Sequence, residues 1–345
     1  MDLRIPPPTT QERPLLRAIL HQSPSVASSS LKDWNLLHTL DSANELEFSL
    51  MRLLVTLPGS TNSASILDDD RLIGLRRYDA FERFRNITSE LTILQQILLQ
   101  VPRAMVVNGS CLGAAICRPS MIRSGLEVLV FPDESDEAND ACGPLPNARV
   151  ITRLAYSHFL ANRFEVRCRH RAAAKGTEFH DGVKVRTLCP PDELIWRLGE
   201  VALQTNEWSR CYALTASVGI LLRMTEDDWR IFGDEVQLSR CPRLVTALFR
   251  MLSEEYGVDA PTMVFERLAG LESGRNDWLA LRIASGRLGP RRLAAFRLVL
   301  AFEPEQRSSH SRNVISFARF FYATLGGRPS LVVRRVARAC RVRYR

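Results

Sequence analysis

The residues best suited to chemistry lie in one segment, between Ala104 and Glu134. Residues 105–107 read Met-Val-Val, a short and partly β-branched run that ends at the Asn-Gly-Ser turn of residues 108–110. Glycine in this turn allows backbone N–H groups to approach a ligand closely. If residues 110–117 form a helix, the turn lies at a helix N-terminus, where free amides and the helix dipole favour an anion such as phosphate. Gly109 and Ser110 are therefore the candidate phosphate-binding residues.

A carboxylate enters the next apolar run of the segment. Residues 128–131 read Val-Leu-Val-Phe and end at Pro132, which predicts a second buried strand. Glu127 leads into this strand as its only carboxylate before the turn. One acid at the mouth of a strand, beside a glycine turn, indicates a metal ion and a phosphate. In the alternative interpretation, Glu127 is a partly exposed acid at a strand end.

Three more segments are predicted to be strands, and one of them carries another acid. Residues 149–151 read Arg-Val-Ile, residues 164–168 read Phe-Glu-Val-Arg-Cys, and residues 183–188 alternate with a period of two. Glu165 lies in the second of these segments. From its surroundings alone, Glu165 is a cross-strand partner of an arginine such as Arg167 or Arg169.

The order of these features resembles the minimal nucleotidyltransferases with the polymerase-beta-type fold. It is most similar to a large family of bacterial nucleotidyltransferase-like proteins that carry helical regions on both sides of the core. In that family the turn reads Leu-Lys-Gly-Ala or similar, and the acid strand reads Asp-Ile-Asp-Leu-Leu-Val. The matching segments of this chain are Val-Asn-Gly-Ser at 107–110 and Gly-Leu-Glu-Val-Leu-Val-Phe at 125–131.

The chain departs from the family pattern at two positions. Asn108 stands in the place of the family lysine, and Gly125 in the place of the first carboxylate. An alternative register makes Glu127 the first acid and puts Leu129 in the place of the second. In either register one carboxylate of the pair is missing, which marks a degenerate member with an eroded metal site. Water could fill the vacancy, because Mg²⁺ retains water readily.

The resemblance implies a fold, a reaction and roles for residues. The fold is α+β, with a small mixed β-sheet nucleotidyltransferase-like domain flanked by N-terminal helices and a C-terminal helical domain. The reaction is transfer of a nucleoside monophosphate from an NTP to an unidentified hydroxyl acceptor, with Mg²⁺ as cofactor. Gly109 and Ser110 would hold phosphate, and Glu127 and Glu165 would be the catalytic and metal-binding residues. The alternative function is a catalytically inactive nucleotide-binding or protein-interaction module of the same fold.

The flanking elements follow from capping and periodicity. A capping-box pattern at Ser30 and Asp33 predicts a helix start, and apolar positions predict a long helix over residues 72–99. The acidic run 133–140 predicts a further helix. Later helices are predicted at 192–204, 208–223, 225–238 with Thr225 and Asp228 as a capping box, 243–256, 293–302 and 314–325. The predicted divisions are a flexible leader (1–30), an N-terminal helical region (31–103), the sheet domain (104–189), a C-terminal helical domain (190–327) and a basic tail (328–345).

Composition limits the class of protein. The chain of 345 residues has 46% hydrophobic and 24% charged residues, and it shows no apolar run long enough to span a bilayer. Its eight cysteines form no Cys-x-x-Cys pair, which favours reduced thiols and, with the absence of an apolar signal core, a cytoplasmic location. The net charge of +8 is concentrated in part in the arginine-rich tail. This tail could contact an anionic surface, although a solvated basic helix is the alternative.

Overall fold

The computed structural model describes residues 5–7, 13–21, 23–37, 70–108, 126–142, 148–152, 154, 164, 167–168, 170–171, 176–178, 184–204 and 207–286. Over these residues the chain is a mixed α+β protein, mostly helical, with one small mixed sheet. The α+β class predicted from the sequence is confirmed at this level. The predicted helices at 293–302 and 314–325 and the basic tail lie outside the described residues.

The described helices and strands follow one another along the chain with a sheet between two sets of helices. The elements are α1 (Arg13–Leu20), α2 (Pro24–Leu37), α3 (Asp70–Gln100), β1 (Met105–Asn108), β2 (Leu126–Leu129), α4 (Ser135–Cys142), β3 (Ala148–Ile151), β4 (Gly176–Glu178), β5 (Lys184–Thr187), α5 (Pro190–Leu203), α6 (Glu207–Leu221), α7 (Glu226–Ser239), α8 (Pro242–Tyr256), α9 (Thr262–Ala269) and α10 (Arg275–Ala284). A 3-10 turn at Pro132–Glu134 leads into α4.

The strands form one sheet in the order β3-β2-β1-β5-β4. The central strand β1 is antiparallel to β2 and parallel to β5, while β2 is parallel to β3 and β4 is antiparallel to β5. Four of these strands were predicted from apolar runs between turn residues, and β4 was not. With three residues, β4 is too short to show a period-two pattern.

The predicted strand at 164–168 is wrong. Its described residues, Phe164, Arg167 and Cys168, are helical, as are His170 and Arg171. The error has a simple origin, because Phe164 and Cys168 are four residues apart, a spacing that places apolar side chains on one face of a strand and equally on one face of a helix. Both side chains are buried, at 2% and 0% exposure.

Each face of the sheet covers a separate hydrophobic core. On one face, Val106 and Val128 pack in a cluster with Ile93, Leu94 and Ile97 of α3. On the other face, Met105, Val107 and Leu129 belong to the larger cluster formed with the C-terminal helices. Since successive side chains of a strand point to opposite faces, β1 and β2 must be apolar on both sides, and this explains their nearly continuous hydrophobic runs.

The N-terminal residues differ from the expected flexible leader. Leu15 and Leu16 of α1 are fully buried, and Arg13 of α1 donates to the carboxylate of Glu255 in α8, with Nε 2.9 Å from Oε2. The second helix begins at Pro24, where the missing N–H of proline costs nothing. Ser30 therefore lies inside α2, and the helix start predicted there is wrong.

The remaining helices agree largely with their predicted bounds. The long helix α3 and the helix at the acidic run are both present, and the capping box of α7 is confirmed because Thr225 Oγ1 accepts from the Asp228 amide at 3.3 Å. Gly257 ends α8 with φ of 61°, a left-handed conformation that favours glycine. Helices α9 and α10 were not predicted. No described helix is both long and apolar enough to cross a membrane.

Candidate functional site

Asn108, at the end of β1, lies opposite Glu127 of β2. The antiparallel register pairs Met105 with Leu129 and Val106 with Val128, then skips one residue and pairs Asn108 with Glu127. A regular ladder would have paired Val107 with Glu127, so Val107 is the extra residue of a β-bulge. The bulge therefore makes Asn108, and not Val107, the register partner of Glu127.

The Glu127 side chain lies on the sheet face that is turned toward the C-terminal helices. Its neighbours Leu126 and Val128 pack on the opposite face, against α3, and side chains alternate along a strand. Arg149 of β3 pairs with Glu127 in the parallel ladder, and its Nη1 atom is 3.8 Å from Glu127 Oε1. The Glu127 side chain is 14% exposed and that of Arg149 is 71% exposed. An exposed guanidinium therefore partly balances the charge of this acid.

The other predicted site residues, Gly109, Ser110 and Glu165, lie outside the described residues. Their roles stay predictions. The nearest described residues on either side of Glu165 in the sequence, Phe164 and Arg167, are helical. Arg167 binds Glu235 of α7, with Nε 3.0 Å from Oε2.

A buried network of ion pairs was missed by the sequence analysis. Arg171 donates from Nε to Asp192 Oδ2 at 2.8 Å and from Nη2 to Glu235 Oε2 at 2.9 Å. Arg167 also donates to Glu235, and the two acids are 0% and 1% exposed. Burial lowers the pKa of Arg171, but its bonds to Asp192 and Glu235 raise that pKa above its usual value overall. Two arginines and two acids balance in charge, which suits a structural link between helices.

One signal in the sequence could have revealed this network. Arg167 and Arg171 are four residues apart, which places both on one face of a helix. The strand predicted at 164–168 concealed that face.

Two buried thiols adjoin the network. Cys189 donates from Sγ to Asp192 Oδ2 at 2.8 Å, and burial together with the Asp192 charge raises the pKa of Cys189 to about 12. Burial also raises the pKa of Cys168. The thiolate is the form that attacks electrophiles and binds metals. Because their pKa values are raised, both thiols stay protonated at neutral pH and are not suited to that chemistry.

A buried arginine, Arg197, contacts the end of β1. Arg197 of α5 is fully buried, and its Nη2 atom donates to the backbone carbonyl of Val107 at 3.3 Å. Its Nη1 atom donates to Glu200 Oε2 at 2.7 Å. Nothing in the sequence singled out Arg197, since an arginine in a helix is usually solvated.

The metal-ligating side chains near the end of β1 can be compared with the ligands that Mg²⁺ requires. Among the described residues, no three His, Cys, Asp or Glu side chains form a group that could hold a metal ion. Glu127 supplies one carboxylate beside the end of β1. One carboxylate fits a Mg²⁺ ion that is held mainly by triphosphate oxygens and water.

A groove of about 440 Å³ lies elsewhere, between the start of α7 and α9. Its lining includes Trp229, Arg230, Met263 and Arg267, and no predicted site residue contributes to it. The groove is therefore separate from the chemistry predicted at β1 and β2.

Searches against protein-family models, curated proteins and solved structures find no match to this chain. Function is therefore argued from the residues and geometry of the sheet edge.

Proposed function

We propose that this chain is a nucleotide-binding protein of the nucleotidyltransferase type, with its phosphate site at the end of β1. The bulged pairing of Asn108 with Glu127 is the observation that supports the proposal most directly. It places Asn108, the residue before Gly109 in the sequence, opposite Glu127 in a mixed sheet. Gly109 and Ser110 then bind the triphosphate through backbone amides, as the sequence predicts.

Glu127 has the central role in this proposal. Its carboxylate holds Mg²⁺ together with the triphosphate oxygens, and Glu165 is the second proposed ligand. Bound there, Mg²⁺ would supply positive charge that neutralises the triphosphate. Arg149, which is largely exposed beside Glu127, competes with Mg²⁺ for this carboxylate.

Transfer of a nucleoside monophosphate to a hydroxyl acceptor requires more than binding. The reaction needs paired carboxylates and a group that activates the acceptor, and Glu165 is the proposed base. Glycine at position 125 removes one carboxylate. Turnover is therefore slow in this proposal, and the acceptor is not defined.

A second candidate function is a nucleotide-binding or protein-interaction module without catalysis. The ion pair of Glu127 with Arg149 favours this version, since it offsets the charge that would attract a cation. The helical state of Phe164 and Arg167, the nearest described residues on either side of Glu165, favours it as well, because the resemblance implies a strand for the second acid.

Location and surface contacts form part of the same proposal. The proposed location is the cytoplasm, a proposal that rests on the scattered cysteine spacing; Cys168, Cys189, Cys211 and Cys241 are free thiols in the structure. The arginines of residues 334–345 contact an anionic surface such as a membrane or nucleic acid. If removal of residues 330–345 leaves binding to anionic vesicles and to nucleic acid unchanged, this contact is rejected.

The direct test combines binding with turnover. Fluorescent analogues of the four NTPs are titrated with Mg²⁺ into the wild-type chain, into Glu127→Gln and into Glu137→Gln, an exposed acid of α4 that serves as control. We expect Glu127→Gln to weaken Mg²⁺-dependent binding about tenfold, the usual scale for one charged contact, and Glu137→Gln to bind normally. Absence of nucleotide binding in the wild-type chain rejects both versions.

Turnover is then measured with labelled NTPs, Mg²⁺ or Mn²⁺ and candidate acceptors. Pyrophosphate release together with a labelled product, lost in Glu127→Gln, supports the transferase version. Binding without pyrophosphate release supports the inactive module.

A further inference from the structure

We infer that Arg197 is a positioning residue that holds the end of β1 in the bulged register that places Asn108 opposite Glu127. This inference rests on the proposed function, because the register matters only if the edge binds a nucleotide. Arg197 contacts the strand through a backbone atom and acts on the site through β1.

The carbonyl of Val107 needs a partner outside the sheet. Val107 is skipped in the pairing of β1 with β2, and the pairing of β1 with β5 ends one residue earlier, at Val106 and Thr187. A bulge leaves the extra residue outside the regular ladder, and a buried carbonyl without a hydrogen bond is costly. Arg197 Nη2 donates to this carbonyl at 3.3 Å.

Arg197 is held firmly enough to act as a fixed donor. Its Nη1 atom donates to Glu200 at 2.7 Å, and its Nε atom lies 3.7 Å from Glu193 Oε1. The guanidinium carbon lies 4.0 Å from the centre of the Trp196 ring and 5.4 Å from that of Tyr212. A planar guanidinium can make these contacts together, whereas a lysine ammonium cannot.

The path of the chain explains how a helix residue reaches the strand. Helix α5 begins at Pro190, three residues after β5 ends at Thr187, and β5 is the parallel neighbour of β1. Arg197 lies two turns into α5 and packs against the face of β1 that carries Val107.

The bulge decides which residue faces the acid. In a regular ladder Glu127 would pair with Val107, an apolar residue, and Asn108 would move on by one position. With the bulge, Glu127 pairs with Asn108, the residue that enters the glycine turn. A one-residue change of register turns side chains to the other face of a sheet, so Arg197 fixes the register of Asn108 relative to Glu127.

The test uses Arg197→Lys, with Arg171→Lys as a matched control. Both substitutions keep the charge and remove the planar guanidinium from a buried ion pair, but Arg171 donates to Asp192 and Glu235 and not to β1. Hydrogen exchange is followed over residues 104–108 and 242–256, and the affinity for fluorescent ATP with Mg²⁺ is measured for each chain. A double variant, Arg197→Gln with Glu200→Gln, removes two charges together in case Arg197→Lys fails to fold.

We expect exchange over residues 104–108 to be about tenfold faster in Arg197→Lys, since a hydrogen bond to a charged group is lost, with ATP affinity reduced by a similar factor. Residues 242–256 should exchange as in the wild-type chain, and Arg171→Lys should change neither measurement at β1 by more than about twofold. Unchanged exchange at β1 in Arg197→Lys overturns the inference, and so does faster exchange with unchanged ATP affinity. If the wild-type chain binds no nucleotide, the proposed function fails, while the exchange data still decide whether Arg197 holds β1.

Discussion

Arg149 lies directly across the parallel ladder from Glu127, with its Nη1 atom 3.8 Å from Glu127 Oε1. The two partners differ strongly in exposure, at 71% for the arginine side chain and 14% for the glutamate. An exposed partner contributes little to stability, because water screens the pair and the long side chain loses conformational freedom. The relationship therefore matters for the charge at the sheet edge more than for the fold.

Replacement of Arg149 by glutamine should raise the affinity for nucleotide in the presence of Mg²⁺ about two- to fivefold. The reason is that Arg149 no longer competes with Mg²⁺ for the carboxylate of Glu127. The free energy of unfolding should change by no more than about 0.5 kcal/mol. Arg230→Gln is the control, because Arg230 is similarly exposed and pairs with Asp227 at 3.2 Å on α7. Weaker binding in Arg149→Gln would contradict the prediction and indicate that Arg149 itself contacts phosphate.

Replacement of Glu235 by alanine should lower the free energy of unfolding by about 3 kcal/mol. The substitution removes the buried carboxylate that accepts from Arg167 and Arg171, and their positive charges lose that partner. The neighbouring Asp234→Ala is a matched control, since Asp234 is 59% exposed and pairs with Arg267 at the surface. Its cost should stay below about 1 kcal/mol. Urea unfolding at equilibrium measures both values, and equal costs for the two variants would contradict the role of the network.

Asp277, a residue of α10, caps the N-terminus of α8. Its Oδ2 and Oδ1 atoms accept from the amides of Arg243 and Leu244 at 3.0 and 2.8 Å, in the first turn of α8, while the Cys241 side chain makes no capping bond. Asp277→Ala should cost about 2 kcal/mol, the upper range for a lost helix cap. Asp277→Asn keeps one acceptor oxygen and should recover part of this loss. Thermal unfolding compares the two variants with the exposed control Glu272→Ala, and a cost no greater than that of the control would exclude the cap.

The raised pKa of Cys189 predicts a loss of stability in alkaline solution. An unfolded thiol ionises near its usual pKa, whereas burial and Asp192 raise the pKa of Cys189 in the folded chain to about 12. Between these values the folded state keeps a proton that the unfolded state has lost, so stability is complete below the unfolded pKa and decreases as pH rises. The slope from this thiol approaches about 1.4 kcal/mol per pH unit.

Denaturant unfolding at pH 8 and pH 10, with reductant present, measures this loss. Cys189→Ala should show a smaller decrease than the wild-type chain, although the burial that raises the pKa of Cys241 leaves part of the effect in place. An identical decrease in the two chains would show that Cys189 ionises normally.

Several elements could be predicted because one local signal determines each of them. Thr225 and Asp228 satisfy each other's backbone amides at the start of α7, and Gly257 adopts the left-handed conformation that ends α8. The strand predicted at 128–131 from its apolar run is present, although it begins and ends two residues earlier, at 126–129. Such features depend on neighbours within a few residues, so the sequence reveals them directly.

Other elements were mistaken where two structures share one pattern. The spacing of Phe164 and Cys168 fits a strand and a helix equally, and contacts of Arg167 and Arg171 with Glu235 in a distant helix favour the helix. The composition of the first thirty residues suggests flexibility, yet Leu15 and Leu16 are buried and Arg13 binds Glu255. In both cases partners more than sixty positions away decide the outcome.

The sequence by itself determined that two short apolar segments form strands, one ending near Asn108 and one containing Glu127, since both are read from adjacent residues. Only the tertiary structure decided that these two strands are neighbours, that a bulge at Val107 pairs Asn108 with Glu127, and that Arg197 satisfies the carbonyl which the bulge exposes. The physical reason is that register depends on hydrogen bonds and packing between segments far apart in the chain, and a one-residue shift leaves every local pattern unchanged.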